Sequence, residues 1–280
     1  MNILEATKKG SNTLKENGIK SHMLDSEILM SKVFNKNRVD IILNFHTNLS
    51  IKQIELFNNL IEERSRRKPI AYLIGKKEFW KYEFDISEDV LIPRPDTETV
   101  VEQALKFTKN KSRLKILDIG VGSGCILLSI LKERKGFYGT GIDICRKTLN
   151  NCKLNIKKLD LSNRVKLFKS DVDNFNYGKY DLIISNPPYI NKFKLKYLEK
   201  DVYDYEPISA LDGGVDGLIK LEKVIYNSSK LIKKGGILIL EIAFDQTDKV
   251  KKILRKNGYF VKDVVKDLAQ NNRCIISIKK

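Results

Sequence analysis

Residues 186–189 read Asn186-Pro187-Pro188-Tyr189 and directly follow the apolar run Leu182-Ile183-Ile184. A buried strand that ends there presents a side-chain amide, two prolines and an aromatic ring at its tip. The Asn186 amide offers one acceptor and two donors. Pro187 and Pro188 stiffen the backbone and remove two N–H donors, which leaves the local carbonyls facing outward. Tyr189 adds a flat face. This set suits a planar group carrying an NH2, held still while its nitrogen attacks or is attacked. The plainer reading is a proline-rich turn that closes a strand.

Upstream, Ile116-Leu117-Asp118-Ile119 runs into Gly120-Val121-Gly122-Ser123-Gly124 and then Cys125-Ile126-Leu127-Leu128. The pattern predicts a strand, a glycine turn and a helix. Glycines at alternate positions permit positive φ and let the backbone approach a ligand. About 20 residues on, a second strand over 138–142 ends in Asp143, the position from which a carboxylate takes ribose hydroxyls. The spacing is G-x-G-x-G, not the G-x-G-x-x-G of dinucleotide folds, and no phosphate-binding Lys-Ser/Thr follows. A glycine turn alone says little. Joined to Asp143 and Asn-Pro-Pro-Tyr, it points to S-adenosylmethionine and methyl transfer to an amino-type nitrogen.

Composition bounds the rest. The 280 residues suggest two domains, and 42% hydrophobic residues suffice for a core. No run of about 18 apolar residues offers a membrane span, and Met1-Asn2-Ile3-Leu4-Glu5 does not open a signal peptide. Cys125, Cys145, Cys152 and Cys274 form no C-x-x-C pair and read as reduced, mostly buried thiols of a cytoplasmic protein. His22 and His46, the only histidines, lie far from every motif, so a histidine triad or histidine-rich metal site is not expected. The net charge of +17 is unevenly spread: residues 1–100 hold 16 basic and 15 acidic side chains, residues 101–280 hold 36 and 20. A basic half favours an acidic partner such as RNA. However, 41 lysines against 11 arginines also reflect compositional bias. With no arginine–aromatic stripe, direct nucleic-acid binding is not the expectation.

Elements that position these motifs follow from periodicity. Residues 1–75 read as helices: one beginning at Ile3, Leu4 and Ala6, one striped by Leu24, Ile28, Leu29, Val33 and Phe34, and one capped by Ser50 with Ile54, Phe57, Leu60 and Ile61. Arg64, Arg66, Arg67 and Lys68 read as a solvated, dipole-matched helix end, and Pro69 as its stop. Alternation over 79–90 predicts a hairpin. Leu91-Ile92-Pro93-Arg94-Pro95-Asp96-Thr97-Glu98 then forces an extended path, with Asp96 or Thr97 capping the next helix. From Leu114, strands over 115–119, 138–142, 165–168, 181–185 and 237–242 alternate with helices, as in a mostly parallel sheet covered on both faces. Ligands bind such sheets at the strands' carboxyl ends, where residues 120–124, Asp143 and Asn186 all fall.

These residues resemble the PrmC/HemK family of release factor glutamine methyltransferases along nearly the whole chain. The likeness includes Ala71-Tyr72-Leu73-Ile74-Gly75, the segment Ile92-Pro93-Arg94-Pro95-Asp96-Thr97-Glu98, the glycine turn, Asp143, Asn186-Pro187-Pro188-Tyr189-Ile190, Tyr205-Glu206-Pro207, Gly213-Gly214-Val215-Asp216-Gly217-Leu218 and Glu241-Ile242. Asn-Pro-Pro-Tyr is shared with DNA adenine methyltransferases and cannot choose the substrate; the Ile-Pro-Arg-Pro-Asp-Thr-Glu segment is more specific. The resemblance implies an α/β, Rossmann-like methyltransferase domain with a seven-stranded, mostly parallel sheet over 99–280. It also implies a small helical bundle over 1–78 that binds the release factor and a hairpin linker over 79–98. The implied reaction is S-adenosylmethionine-dependent methylation of the glutamine in the Gly-Gly-Gln loop of class-I peptide chain release factors. Two positions depart from the family: Ala243 and Gln270 stand where glycine is usual.

On this reading the cofactor rests on Gly120, Val121, Gly122, Ser123, Gly124 and Asp143, with Asn186 beside it. The resemblance adds Val172 against the adenine. Asp118 either orients the loop or meets the methionine ammonium. Asn186, Pro187, Pro188 and Tyr189 bind the substrate amide, with Asn186, Pro187 and Tyr189 carrying the catalysis and no metal required. Arg94 and Tyr205-Glu206-Pro207 either line the substrate entry or form a salt bridge and a turn. The rival readings are adenine methylation on DNA or RNA, with a flipped base in place of glutamine, and a scaffold without activity.

Overall fold

The computed structural model covers residues 1–280. Its helices in chain order are α1 (Ile3–Glu16), α2 (His22–Phe34), α3 (Arg38–Leu43), α4 (Ile51–Ser65), α5 (Ile70–Ile74), α6 (Glu98–Phe107), α7 (Cys125–Glu133), α8 (Arg146–Lys158), α9 (Lys200–Tyr203), α10 (Ile219–Leu231) and α11 (Thr247–Lys256). The strands are β1 (Lys76–Phe79), β2 (Tyr82–Asp85), β3 (Lys115–Ile119), β4 (Tyr138–Asp143), β5 (Val165–Lys169), β6 (Tyr180–Ser185), β7 (Ile232–Glu241), β8 (Tyr259–Lys266) and β9 (Asn272–Lys279). The chain divides into two compact units, residues 1–76 with 199–205, and residues 77–198 with 206–280.

The first unit is helical because its apolar residues recur at helical spacing and its helix starts are capped. The Glu5 N–H donates to Asn2 Oδ1 while the Asn2 N–H donates to Glu5 Oε2, each at 2.9 Å. Ser50 and Gln53 close the same reciprocal cap on α4, as the sequence suggested. Leu14, Leu29, Met30, Phe57 and Ile61 form the core. The basic segment corrects one expectation. Arg66 is exposed, but Arg64 is buried: its Nε donates to Asp25 Oδ2 at 2.7 Å and its Nη1 to Asp201 Oδ2 at 2.8 Å. Arg64 shares the core-facing side of α4 with Phe57 and Ile61, so its charge must be met by carboxylates there. Asp201, which lies 137 positions further along the chain, could not be foreseen as a partner.

In the second unit the strand order is β5-β4-β3-β6-β7-β9-β8. β3 to β7 pair in parallel, and β9 runs antiparallel to both β7 and β8. Leu117, Ile183, Leu238 and Ile275 are buried within the sheet, as expected for strands covered on both faces. The hairpin strands β1 and β2 start and end earlier than the alternation over 79–90 suggested. Their two-residue turn places Trp80 at φ 59°, a conformation usually signalled by glycine or asparagine, so the sequence hid it. Gln270, at the β8–β9 turn, likewise takes φ 64°, a backbone region that favours the glycine the family resemblance leads one to expect there. Ala243 has no positive φ, so its methyl group is accommodated without strain.

Removing the Arg64 cation while Asp25 stays buried is predicted to be severe. Arg64→Leu should lower the unfolding free energy of the first unit by about 3–5 kcal/mol, read by urea denaturation of the full chain. A loss below about 1 kcal/mol would contradict this account of the pair.

Candidate active site

Strand register gathers the motifs. Ile119 pairs with Ile142 in β4 and with Ser185 in β6. Gly120, Asp143 and Asn186 each come one residue after that row. With strands about 4.8 Å apart, the three motifs start within about 10 Å of one another. The order β4-β3-β6 is also where the chain changes direction across the sheet, the position at which open α/β sheets bind ligands.

The glycine turn leaves a cradle. Gly120 and Gly122 both take positive φ, and a Cβ built on either meets no atom closer than 4.0 Å. Their missing side chains therefore leave room that a bound molecule can fill. Val121, Ser123 and Gly124 are buried, and a Cβ on Gly124 would sit 2.8 Å from Cys152 Sγ. The Ser123 hydroxyl accepts from the Cys125 N–H, and its carbonyl accepts from Asn155 Nδ2 at 2.9 Å. Asn155 also exchanges hydrogen bonds with the Asp85 backbone, which laces the turn to β2.

Two acids face this cradle in different states. Asp143 accepts the Cys145 N–H at 2.9 Å and the Gly122 N–H at 3.2 Å. Burial pushes its pKa up, and those amides with that of Ile144 pull it back. Asp118 is buried, and neither carboxylate oxygen meets a donor in full hydrogen-bonding geometry. Burial holds its carboxyl well above the ordinary range; the Leu127 amide at the start of α7 draws it back, and the nearby charge of Asp143 adds to the rise. Orphaned buried carboxylate oxygens are rare because each carries a desolvation cost. A cationic or N–H-bearing group of a ligand would satisfy them.

Asn186 is held by residues far along the chain. Its Nδ2 donates to Thr97 Oγ1 at 3.3 Å, which leaves Oδ1 as the acceptor. Thr97 does not cap α6 with its side chain, contrary to the sequence expectation; its hydroxyl lies beside the Glu241 carboxylate, where it favours the ionised form. Glu241 is 1% exposed. Its Oε1 accepts the Tyr189 hydroxyl at 3.0 Å, and its Oε2 has no partner. Burial, and then the charge of Glu241, push the Tyr189 phenol well above its usual range, so it stays a donor. Gln246 Nε2 donates to the carbonyls of Tyr189 and Gly217, both at 3.0 Å. A Cβ at Gly217 would sit 2.5 Å from the Tyr189 carbonyl oxygen, so only glycine allows this loop to back the motif.

The structure thus brings Gly120, Gly122, Asp118, Asp143, Asn186 and Tyr189 to one sheet edge. Val172 follows β5 at that same edge, but its side chain is largely buried in the core. Arg94 pairs with Glu206, which also accepts the Ile92 N–H at 3.2 Å, the salt-bridge alternative of the two expected. Cys152 and Cys274 are buried free thiols, whereas Cys125 and Cys145 are only half-buried. No helix is long and apolar enough to cross a membrane. Thr97, Asn155, Glu241 and Gln246 escaped the sequence reading as site-supporting residues because each acts through a partner in another element. The one available signal was that Thr97 and Glu241 sit within segments that carried the family resemblance.

A seven-stranded sheet with a glycine turn, an acid and an amide at one edge defines a methyltransferase fold. A methyltransferase from Pyrococcus furiosus shares it, with a TM-score of 0.53 at 20% identity over 78% of this chain and 98% of that one. Residues 5–75 match a family described as the PrmC N-terminal domain, and residues 97–200 one described as the methyltransferase small domain. Among curated proteins, the release factor glutamine methyltransferase of Caulobacter vibrioides is 34% identical over 100% of this chain and 97% of its own length. That of Clostridium acetobutylicum is 36% identical over 100% and 99%. The chain belongs to the release factor glutamine methyltransferase family.

Asp118 yields a pH-dependent test. Because burial raises its native pKa above the ordinary carboxylate range, the folded chain keeps a proton that the unfolded chain releases. Its contribution to stability is therefore present at acid pH and lost as pH rises past about 4. Asp118→Asn should raise the melting temperature of the ligand-free protein at pH 8, with the gain shrinking toward pH 4. A lower melting temperature at pH 8 would contradict the burial cost assigned to this acid.

Proposed function

We propose that the protein methylates the side-chain amide nitrogen of glutamine in the Gly-Gly-Gln loop of class-I peptide chain release factors, with S-adenosylmethionine as donor. The observation that carries this reading is the Asn186 amide at the sheet edge, its nitrogen committed to Thr97 and its oxygen left to accept.

S-adenosylmethionine, when bound, supplies a methyl carbon activated by its sulfonium. The cradle at Gly120 and Gly122 would hold its methionyl part, and Asp118 its ammonium. Asp143 would take its ribose hydroxyls, since a carboxylate that accepts two backbone amides still has lone pairs to offer. All remaining work falls to the chain.

A glutamine amide nitrogen is a poor nucleophile because its lone pair is delocalised into the carbonyl. Asn186 Oδ1 and the Pro187 carbonyl would each accept one of its N–H groups. They fix the nitrogen and stabilise the positive charge on it as the new N–C bond forms and the methyl carbon's bond to sulfur breaks; the N–H they hold then passes its proton to water. Positioning of this kind is worth up to about 7–11 kcal/mol. Pro188 limits the backbone's freedom, and the Tyr189 ring, tethered through its hydroxyl to Glu241, packs against the amide plane. The first unit, with its own core, is proposed to grip the body of the release factor, since a short loop alone carries little protein-level specificity.

Asn186→Ala should leave S-adenosylmethionine affinity unchanged in calorimetry while turnover on purified release factor falls about a hundred- to a thousandfold, the usual cost of losing one preorganised transition-state hydrogen bond. Near-normal turnover would refute the role, and label from the donor appearing in DNA or RNA instead of release factor would favour the adenine reading. Thr97→Val should reduce turnover about tenfold or more with KM little changed, because an unheld Asn186 amide rotates; Thr97→Ser should restore it, consistent with a hydrogen bond worth about 1 kcal/mol or more. Equal turnover by the valine and serine variants would remove Thr97 from the account.

A further inference from the structure

The excess charge of residues 101–280 finds no use in methyl transfer, and the fold concentrates part of it in one place. A cavity of about 560 Å³ opens at the amino ends of the parallel strands, the edge opposite the candidate active site. It spans the starts of β5, β4, β3, β6 and β7, five strands that are neighbours in that order. Its lining holds Arg113, Lys115, Arg164, Lys166, Lys179 and Lys233 against one acid, Asp181. That six-to-one ratio far exceeds the 52 to 35 of the whole chain, so compositional bias alone does not account for it.

The single acid is already neutralised: Asp181 pairs with Lys233 at 2.5 Å and accepts the Lys115 N–H at 2.8 Å. Arg164 is anchored by three backbone carbonyls, those of Leu131, Arg134 and Lys135, at 2.9–3.0 Å, and meets no carboxylate. Burial accordingly pulls its pKa down. Arg113, Lys115 and Lys166 are exposed and have no ion-pair partner. Two aromatic rings flank these cations. Tyr138 is 42% exposed and lies under the Arg113 guanidinium at 5.3 Å. Tyr177 is 53% exposed and is steadied by Phe168, ring centre to ring centre 5.4 Å.

We propose that this groove binds single-stranded RNA, its cations taking successive phosphates and Tyr138 and Tyr177 stacking bases. Basic grooves with interleaved aromatic faces bind single strands without strong sequence preference. Lys233 is taken by Asp181 and Lys179 by the Lys230 carbonyl, but Arg113, Lys115, Arg164 and Lys166 span the starts of β3, β4 and β5, about 10 Å at the usual strand spacing, which matches two or three successive phosphates better than the one charged end of a mononucleotide. A duplex keeps its bases stacked inside and cannot offer them to the tyrosines. The site is separate from the methyl-transfer edge, so the inference stands independently of the glutamine reading. It gives the chain a way to stay near RNA while its other edge acts on protein.

The test is fluorescence anisotropy of the full chain with a short labelled oligouridine at two salt concentrations. Binding on the order of 10⁻⁵ M or tighter is expected at low salt, with log affinity falling against log salt at about −0.7 per phosphate contact, hence a slope of about −1.5 to −2 for two or three contacts. Lys115→Glu with Lys166→Glu should weaken binding at least tenfold and flatten that slope, while methyl transfer to release factor is unchanged. The control, Lys249→Glu with Lys252→Glu on exposed positions of α11, should leave RNA affinity within about twofold. The proposal is overturned if the wild-type chain does not bind, or if the control pair costs as much as the groove pair. It is equally overturned if duplex RNA binds as tightly, or if uridine monophosphate displaces the oligomer at a comparable concentration.

Discussion

Parallel pairing of β3 with β4 on one side and β6 on the other is the constraint on which the site depends. The register fixes Ile119 against Ile142 and Ser185, and Gly120, Asp143 and Asn186 each lie one residue beyond that row. A one-residue slip of β6 would move Leu182 and Ile184 together to the other face of the sheet and carry Asn186 out of line. The strands resist such a slip because their side chains are buried on both faces. The Ser185 hydroxyl adds a 2.7 Å bond to the Ile119 carbonyl, which fastens β6 to β3 at its carboxyl end.

Around that row the chain spends buried polar groups where a simple core would have none. Asp118 and Glu241 are both buried with orphaned oxygens, a cost that folding alone does not reward. Glu241 is partly compensated by Tyr189 and by the charge of Arg273, itself paired with Asp96 and Asp267. Asp118 faces no cation and is compensated only by the Leu127 amide. The contrast suits the division of labour proposed above, with Glu241 organising the substrate side and Asp118 left to meet the donor's ammonium. At the sheet's other end, the groove from Arg113 to Lys233 collects cations without a matching set of acids, so the two edges carry opposite chemistry.

Much of this was legible in the sequence. The glycine turn, Asp143 and the Asn-Pro-Pro-Tyr motif announced themselves because local chain geometry alone dictates them: positive φ, a strand end, a rigid proline pair. Five strands were placed within a few residues, although β7 starts at Ile232, earlier than its apolar run suggests, with its early stretch interrupted by Gly235 at positive φ. What stayed hidden were the interactions made at a distance. Arg64 looked like a solvated helix end until Asp25 and Asp201 met it. Thr97 looked like a cap until Asn186 did. Asn155 and Gln246 carry no motif, yet their amides tie loops together across 32 and 57 positions of chain. The Trp80 turn was missed because a tryptophan does not advertise the left-handed backbone it adopts, and at Gln270 only the glycine usual in the family hinted at it.

The central claim is that a neutral carboxamide, held by Asn186 and the Pro187 carbonyl, receives the methyl group. Mass spectrometry of a class-I release factor co-expressed with the wild-type chain tests it most directly. The account predicts one added methyl group on the side chain of the Gly-Gly-Gln glutamine, absent when the co-expressed chain carries Asn186→Ala. An unmodified glutamine beside a catalytically competent, donor-binding wild-type chain would contradict it.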